Sequence, residues 1–240
     1  MSNALINMIP RSVYSKLRYL LSYPQWNFAP PRVRVVRKLV KVGSEYGGYS
    51  LDLSLVNRDS TVYSLGIGED ISFDLGLIDR FGAAIHAFDP TPAVKKWIDS
   101  QSLPEQFHFH DAAIGDSDGE AVFYLPPRKD YISHSMVQAS EYSKESIRVP
   151  VMRLSTAMRQ LGHTRIDVLK MDIEGAEYTV LQDVIQQGIP IGQLLIEFHH
   201  RLSSIGTGQT RRILALLEGY GMKVAYTCPR MEVFTLVQAR

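Results

Sequence analysis

Short apolar runs alternate with helical stretches along the chain from Thr61 onward. This alternation is typical of β-α-β units that build a mostly parallel sheet covered by helices on both faces. The predicted strands are Val62–Leu65, Ala84–Phe88, Phe107–His110, Asp167–Met171, Gln193–Phe198, Lys223–Tyr226 and Val233–Val237. The predicted helices are Ile71–Phe81, Pro92–Ser100, Thr156–Leu161, Ala176–Gln187 and Gln209–Tyr220. The pattern therefore predicts a three-layer α/β fold around a seven-stranded sheet.

Two places depart from this alternation. The last two predicted strands are joined by only a few residues, which include Pro229, so they can pair only in antiparallel fashion. The segment 119–151 predicts a β-hairpin, Glu120–Leu125 with Ile147–Val151, around the irregular loop Pro126–Ser146. Because irregular loops on a rigid sheet often carry specificity, we expect segment 119–151 to be a substrate-side insertion.

The N-terminal segment differs from the rest in charge. The first 44 residues hold eight Lys and Arg and no acidic residue, whereas the remainder has 18 basic and 25 acidic residues. Apolar residues recur at helical spacing within Arg11–Leu21, and prolines follow. Two interpretations stay open: a helix that packs on the main domain, or a basic helix that rests on an anionic membrane or a lipid-linked acceptor. We therefore divide the chain into a basic extension, 1–48, and a main domain, 49–240.

Composition narrows the class of protein. At 240 residues and 45% hydrophobic content, the chain is long enough for one sizeable folded domain. The single cysteine, Cys228, excludes an intramolecular disulfide and a thiolate metal site. No apolar run reaches the length of a membrane-spanning helix, and a secretory leader is not evident. A soluble, cytoplasmic protein is the expectation.

A glycine-rich loop follows the first strand of the regular pattern. Gly66 and Gly68 allow a tight turn whose backbone N–H groups can face a cofactor, with Glu69 beside them. Asp70 stands where a dinucleotide site would have a third glycine, and a carboxylate at a helix N-terminus would repel a pyrophosphate. The loop therefore suits a cofactor with a cationic or zwitterionic head group.

The next two strands end in further candidate cofactor residues. Asp89, with Pro90, follows the second strand at a distance where a carboxylate can bind ribose hydroxyls, although it could equally cap the following helix. Asp111 and Ala112 follow the third strand and could face an adenine ring, although turn chemistry explains them as well.

The most informative stretch runs from Asp167 to Glu177. Its strand ends at Asp172 and Glu174, and the following strand ends in Glu197-Phe-His199. Since the carboxyl ends of central strands form the ligand crevice of an open α/β sheet, these side chains should converge there with Asp89. Ion pairs with Lys170 or Arg201 are the structural alternative, because neighbouring carboxylates need a compensating cation.

Asp167 to Glu177, with Ile196-Glu-Phe-His downstream, resembles the FkbM family of S-adenosylmethionine-dependent methyltransferases. The stretches that begin at Gly66, Ala87 and Ala112 fit the same family, and the resemblance extends over about Tyr49 to Gln238. It implies a Rossmann-like class I methyltransferase sheet with an antiparallel last strand. Two positions depart from the family pattern: Ser64 replaces an expected acidic residue, and Asp70 replaces a small one.

The resemblance implies methyl transfer from S-adenosylmethionine to a hydroxyl group of a sugar, glycan or secondary metabolite. Such a hydroxyl needs either a base or a metal to activate it. In one hypothesis His199 is the base, oriented by Glu174 or Glu197; in the other, Asp172 and Glu197 hold a divalent cation such as Mg²⁺. Acceptor contacts are expected from Tyr131, Ser133, His134, Ser135, Tyr142, His200 and Arg201.

Two other classes of function stay open at this stage. A non-catalytic binding module could use the same fold, although the retained candidate site argues against it. A nucleic-acid methyltransferase would fit the basic N-terminus, but the acidic main domain lacks a broad basic surface, and a loop for a flipped base is not evident. A small-molecule or glycan acceptor is therefore expected rather than a nucleic acid.

Overall fold

The structure is a computed structural model, and it describes residues 33–126 and 134–239. The strands of this part are β1 Val40–Val42, β2 Tyr49–Leu51, β3 Thr61–Leu65, β4 Ala84–Phe88, β5 Phe107–His110, β6 Ala113–Gly115, β7 Gly119–Tyr124, β8 Ser146–Arg153, β9 Ile166–Met171, β10 Ile191–Glu197, β11 Met222–Thr227 and β12 Val233–Gln238. The α-helices are α1 Ser72–Phe81, α2 Pro92–Asp99, α3 Leu154–Leu161, α4 Glu177–Gln187 and α5 Thr207–Gly219. All seven predicted strands and five predicted helices are present, with ends that differ by at most two residues.

The central sheet has the strand order β11-β12-β10-β9-β3-β4-β5. β12 runs antiparallel to both β10 and β11, and the pairs β10–β9, β9–β3, β3–β4 and β4–β5 are parallel. The predicted seven-stranded sheet with a reversed last strand is confirmed. β12 lies between β11 and β10, so the reversed strand is inside the sheet rather than an outer strand. The strands β3, β4, β9 and β10 run parallel to one another, so their carboxyl ends lie on the same side of the sheet.

Helices cover both faces of this sheet. On one face, Leu169 and Leu194 pack in a core with residues of α3, α4 and α5. On the other face, Val168 and Leu195 pack in a second core with residues of α1 and α2, such as Leu77. Neighbouring residues of a strand point to opposite faces, so a strand that is apolar throughout is buried on both sides. The three-layer arrangement is confirmed.

The segment between β5 and α3 forms a small second sheet. β7 and β8 pair as the predicted antiparallel hairpin, with Ala121 opposite Val149. β6 adds a third strand, parallel to β8, that the sequence did not predict because a three-residue run ending in glycine gives little strand signal. Residues 127–133 lie outside the described residues, and with them the predicted acceptor residues Tyr131 and Ser133.

The basic extension is described only from residue 33 onward, so the predicted helix Arg11–Leu21 lies outside the described residues. At the end of this segment a strand forms at Val40–Val42. β1 pairs with β2 in an antiparallel hairpin that spans the proposed boundary at residue 48. The division into 1–48 and 49–240 stays a prediction. Among residues 33–126 and 134–239, no helix is both long and apolar enough to cross a bilayer.

A close approach between β3 and β9 fixes the edge where the strands end. Gly66 has φ of 70° and donates its backbone N–H to the Phe88 carbonyl oxygen at 2.9 Å. A Cβ atom at this position would overlap the carbonyl oxygen of Asp172. Glycine is therefore required here for two reasons, its left-handed backbone and the proximity of the β9 carboxyl end.

We expect Gly66→Ala to lower the free energy of unfolding by about 3 kcal/mol or more, because it adds a steric overlap to backbone strain. Gly188→Ala is a matched control. Gly188 has φ of 65°, but a Cβ there would have no heavy atom within 4 Å, so only the left-handed penalty of about 1 kcal/mol applies. Urea denaturation of both variants measures the difference. Equal destabilisation would contradict the close approach of Gly66 and Asp172.

Candidate active site

A cleft of about 1000 Å³ opens at the carboxyl ends of β3, β4, β9 and β10. Most residues that the sequence singled out line this cleft, from five separate parts of the chain. They are Gly66, Gly68, Glu69, Asp70, Asp89, Pro90, His134, Tyr142, Asp172, Glu174, Glu197, His199 and Arg201. The side chains predicted to converge at the carboxyl ends of the parallel strands therefore do so.

Asp89 organises the glycine-rich loop. Its Oδ2 accepts hydrogen bonds from the backbone N–H groups of Ile67 and Gly68, each at 3.1 Å, and its Oδ1 accepts one from Thr91 N–H at 2.9 Å. The carboxylate thus both caps the turn before α2 and supports the loop. Each carboxylate oxygen has two lone-pair directions, so Oδ1 retains room to accept a hydrogen bond from a ligand hydroxyl.

Asp70 is held by the N-terminal part of the chain. Its Oδ1 accepts from Ser72 N–H at 2.9 Å, and its Oδ2 accepts from the Ser44 hydroxyl at 2.6 Å. Partial burial raises the pKa of Asp70, but the hydrogen bonds from Ser44 and Ser72 outweigh burial, so the net pKa lies below its usual value. Asp70 therefore caps the start of α1 and joins the β1–β2 hairpin to the cleft wall.

Asp111 and Ala112 are not among the described residues that line the cleft. Asp111 is exposed, and the wall at this point is formed instead by Ala113 and Ile114, at the start of β6. The unpredicted strand β6 explains the difference, because it turns the chain so that the residues just after β5 do not face the cleft.

Three carboxylates surround the imidazole of His199, which is only 1% exposed. Its Nδ1 lies 2.8 Å from Glu177 Oε1, while its Nε2 lies 3.2 Å from Glu174 Oε2 and 3.7 Å from Asp172 Oδ1. This cluster joins the end of β9, the first residue of α4 and the loop after β10. The contacts of Asp172 and Glu174 with His199 are thus direct, whereas the sequence left Glu174 and Glu197 open as the residues that orient it.

Glu177 shapes the turn that carries Glu174. Its carboxylate accepts hydrogen bonds from the backbone N–H groups of Ile173 at 3.1 Å and Gly175 at 3.0 Å. Glu174 adopts φ of 51°, a left-handed conformation that is rare outside glycine, asparagine and aspartate. The sequence motif contains Glu177, but its role depends on this backbone conformation, which sequence spacing does not reveal.

The charges of this cluster shift one another's pKa values. Burial lowers the pKa of His199, but the carboxylates of Glu177, Glu174 and Asp172 outweigh burial and raise it to about 10. Burial, followed by the charge of Asp172, raises the pKa of Glu197 to about 7. With these neighbours His199 keeps its proton at neutral pH, which argues against the predicted role of His199 as a general base.

Three cleft residues were not assigned a role from the sequence, or only a minor one. Lys170 is buried and donates a hydrogen bond to the carbonyl oxygen of Gly66. The Tyr49 hydroxyl donates to Asp172 Oδ2 at 3.3 Å, and the Tyr142 hydroxyl donates to Glu174 Oε2 at 2.9 Å. The spacing of apolar residues predicts whether these residues lie in strands or loops. It does not predict which polar groups their side chains contact.

The predicted acceptor residues divide into two groups. His134 and Arg201 line the cleft, and the Arg201 Nη1 lies 3.5 Å from Glu197 Oε1. Ser135 is fully buried and donates to the carbonyl oxygen of Glu174, so it supports the turn. His200 is also buried, beside Thr210, and burial lowers its pKa to about 4. Ser135 and His200 do not line the cleft.

The fold and the cleft define a class of protein. The strand order, the reversed strand β12 and a cleft lined by a glycine loop and acidic strand ends are those of a class I methyltransferase. The family model for the methyltransferase FkbM domain matches residues 66–224. The chain belongs to this family, and the resemblance noted in its sequence is confirmed.

Two curated relatives carry the name "Probable methyltransferase-like protein 24". The human protein is 29% identical over 154 residues, and the rat protein is 30% identical over 155 residues. Each match covers 63% of this chain and 36% of the relative, so the chain spans about a third of the length of these relatives.

Solved structures with a related arrangement are more distant. Fibrillarin of Methanococcus jannaschii is 13% identical with a TM-score of 0.46, over 88% of this chain and 86% of that one. Fibrillarin of Aeropyrum pernix, solved with natively bound S-adenosyl-L-methionine, is 10% identical with a TM-score of 0.42, over 86% and 83% of the two chains.

The free energy of unfolding should depend on pH through Asp74 of α1, which is buried. Its burial raises the pKa to about 6 from an ordinary 3.8, an effect that Lys170 and Ser64 moderate. A shift of this size corresponds to about 3 kcal/mol of folding free energy. Because the folded pKa is the higher one, this contribution is complete below the unfolded pKa and is lost as the pH rises through about 6.

Asp74→Asn should therefore remove this loss. We expect the variant to be more stable than the wild type at pH 8, with the advantage shrinking as the pH falls toward 4. Urea denaturation across this range, with the exposed Asp111→Asn as a control, measures the effect. Parallel stability curves for the wild type and Asp74→Asn would contradict the buried, protonatable state of Asp74.

Proposed function

We propose that the chain is an S-adenosylmethionine-dependent O-methyltransferase whose acceptor is a hydroxyl group of a sugar, glycan or secondary metabolite. The observation that carries this proposal is the cleft itself. Gly66, Gly68, Asp89 and Asp172 line it and are assigned to a cofactor end, whereas Tyr142, Glu197 and Arg201 also line it and are assigned to an acceptor end. Membership in a methyltransferase family supports the reaction class.

The cofactor end of the cleft fits the chemistry of S-adenosylmethionine. Asp89 Oδ1 has room for a ribose hydroxyl, and the Gly66–Gly68 loop lets backbone approach a ligand closely. The carboxylates of Glu69 and Asp172 suit an ammonium or sulfonium group rather than a phosphate. When bound, the cofactor supplies an electrophilic methyl group for transfer to an oxygen nucleophile.

The acceptor end lies where the insertion meets the strand ends. Tyr142 comes from the insertion and His134 lies beside its hairpin, while Arg201 follows β10. Hydroxyl, imidazole and guanidinium groups provide both donors and acceptors for a polyhydroxylated acceptor. Side chains from these two chain segments can hold such an acceptor in line with the methyl group, and alignment contributes much of the rate in a displacement of this kind.

The acceptor hydroxyl must lose its proton as the new carbon–oxygen bond forms. Glu197 is placed to accept it, because its carboxylate lines the cleft at the end of β10 and is 27% exposed. His199 is the less suitable group, since its two ring nitrogens already face carboxylates. The proposal therefore assigns proton acceptance to Glu197.

Cofactor binding can be tested with a matched pair of carboxylate variants. Asp89→Asn should weaken S-adenosylmethionine binding at least about tenfold, because it disturbs both the loop and the ribose acceptor. Asp111→Asn removes an exposed carboxylate one strand away and should leave the affinity unchanged. Isothermal titration calorimetry gives both values. An equal loss in Asp111→Asn, or no loss in Asp89→Asn, would contradict the cofactor end of the cleft.

The acceptor class can be tested with methyl-labelled S-adenosylmethionine and a cell lysate separated into glycan, lipid, small-molecule, protein and nucleic-acid fractions. We expect label in the glycan or small-molecule fraction, in a product that survives mild alkali as a methyl ether does and a methyl ester does not. Glu197→Gln should lower this labelling at least about a hundredfold while it still binds the cofactor. Label in nucleic acid or in alkali-labile esters, or no turnover by a chain that binds the cofactor, would contradict the proposal.

A further inference from the structure

The cluster around His199 brings together three atoms of the kind that bind metal ions. A carboxylate oxygen of Asp172, a carboxylate oxygen of Glu174 and an imidazole nitrogen of His199 all lie within 4.8 Å of one another. His199 Nε2 is 3.2 Å from Glu174 Oε2 and 3.7 Å from Asp172 Oδ1. Ligand atoms bound to one ion at about 2.1 Å are separated by about 3 Å, so the three groups would draw closer together around a bound ion.

Hydrogen bonds fix which ring nitrogen faces the two carboxylates. The Glu177 carboxylate accepts N–H groups from Ile173 and Gly175 and lies 2.8 Å from His199 Nδ1. Nδ1 is therefore the nitrogen that donates to Glu177, and Nε2 points between Asp172 and Glu174, where a bound cation would displace the Nε2 proton. A histidine that donates from one nitrogen to a carboxylate and presents the other to a cation is the usual arrangement at metal centres.

Further contacts orient the two carboxylates. The Tyr49 hydroxyl donates to Asp172 Oδ2, which leaves Oδ1 on the side of His199. The Tyr142 hydroxyl donates to Glu174, whose backbone turn Ser135 supports. The Asp172 and Glu174 side chains are 31% and 18% exposed, whereas His199 is 1% exposed. The cluster is thus fixed on its buried side and open toward the cleft.

From this geometry we propose that Asp172, Glu174 and His199 form a mononuclear binding site for a divalent cation. One imidazole and two carboxylates favour a first-row ion such as Mn²⁺ over Mg²⁺, which prefers oxygen ligands alone. The three residues line the same cleft as Glu197 and Arg201 of the proposed acceptor end, so the ion would bind acceptor oxygens and favour ionisation of the hydroxyl. This role rests on the proposed methyl transfer, whereas binding of the ion does not.

This site differs from the pair that the sequence predicted. Glu197 does not belong to the cluster of potential ligands found among the described residues, and its carboxylate instead lies 3.5 Å from Arg201 Nη1. Glu174 and His199 take its place as partners of Asp172. The distinction gives a matched control, because Glu197 is another carboxylate of the same cleft.

The experiment titrates chelator-treated full-length protein with MnCl₂ and follows the electron paramagnetic resonance signal of free Mn²⁺. We expect about one ion bound per chain, with Glu174→Gln and Asp172→Asn each lowering the affinity at least about tenfold. Glu197→Gln should lower the Mn²⁺ affinity far less than either of these variants, because Glu197 is not among the ligands. Circular dichroism reports whether each variant is folded, and calorimetric binding of S-adenosylmethionine by Glu174→Gln and Glu197→Gln, without added metal, reports whether the cofactor end of the cleft is intact.

The outcomes separate this proposal from the proposed function. Saturable Mn²⁺ binding that depends on Asp172 and Glu174 far more than on Glu197 supports the site. The absence of such binding in a protein that binds S-adenosylmethionine overturns the metal site and leaves methyl transfer intact. Loss of Mn²⁺ binding in Glu197→Gln alone also overturns it. Failure to bind S-adenosylmethionine by a chain that binds Mn²⁺ would instead contradict the proposed function.

Discussion

The hydrogen bond between His199 and Glu177 is the contact on which the geometry of the cleft depends. It joins the loop after β10 to the first residue of α4, and through Glu177 it also fixes the turn that follows β9. Both side chains are almost completely buried, so each depends on the other for its hydrogen bonds and charge compensation. The positions of Asp172 and Glu174 follow from this contact.

The second constraint is the close approach of the β3 and β9 ends. Asp172 N–H donates to the carbonyl oxygen of Leu65 at 3.0 Å, and Lys170 donates to the carbonyl oxygen of Gly66. These contacts attach the glycine loop to the strand that carries Asp172. The cofactor end and the acidic end of the cleft are therefore parts of one rigid sheet edge, and that arrangement suits a reaction that depends on alignment.

Much of the fold could be predicted because it depends on the period of apolar residues. β9 and β10 are mostly apolar and are buried along most of their length, as strands covered on both faces must be, and the short connection between the last two strands indicated their antiparallel pairing. The missed features depend on local backbone instead. β10 begins at Ile191, before the predicted start: Ile191 pairs with Ile166 of β9, and a Cβ atom at Gly192 would overlap the Asp167 carbonyl oxygen. In the sequence a glycine at this position suggests a turn, whereas in the sheet it is present because a side chain would clash with the neighbouring strand.

The site could be predicted only at the level of which segments meet. The ends of parallel strands share one edge, so Asp89, Asp172 and His199 were expected to converge, and all three line the cleft. The direction of individual side chains was not predictable. His199 faces the cleft and its neighbour His200 does not, and Glu174 depends on a left-handed turn that its sequence does not announce.

The central claim is that one cleft holds the methyl donor between the glycine loop and the acidic cluster. A crystal structure of the full chain with S-adenosylhomocysteine, the product form of the cofactor, tests it most directly. The account predicts the ribose beside Asp89 and the amino-acid end directed toward Asp172. Ligand density at another surface, or a cleft closed by Tyr142 and Arg201 with no ligand at saturating concentration, would contradict it.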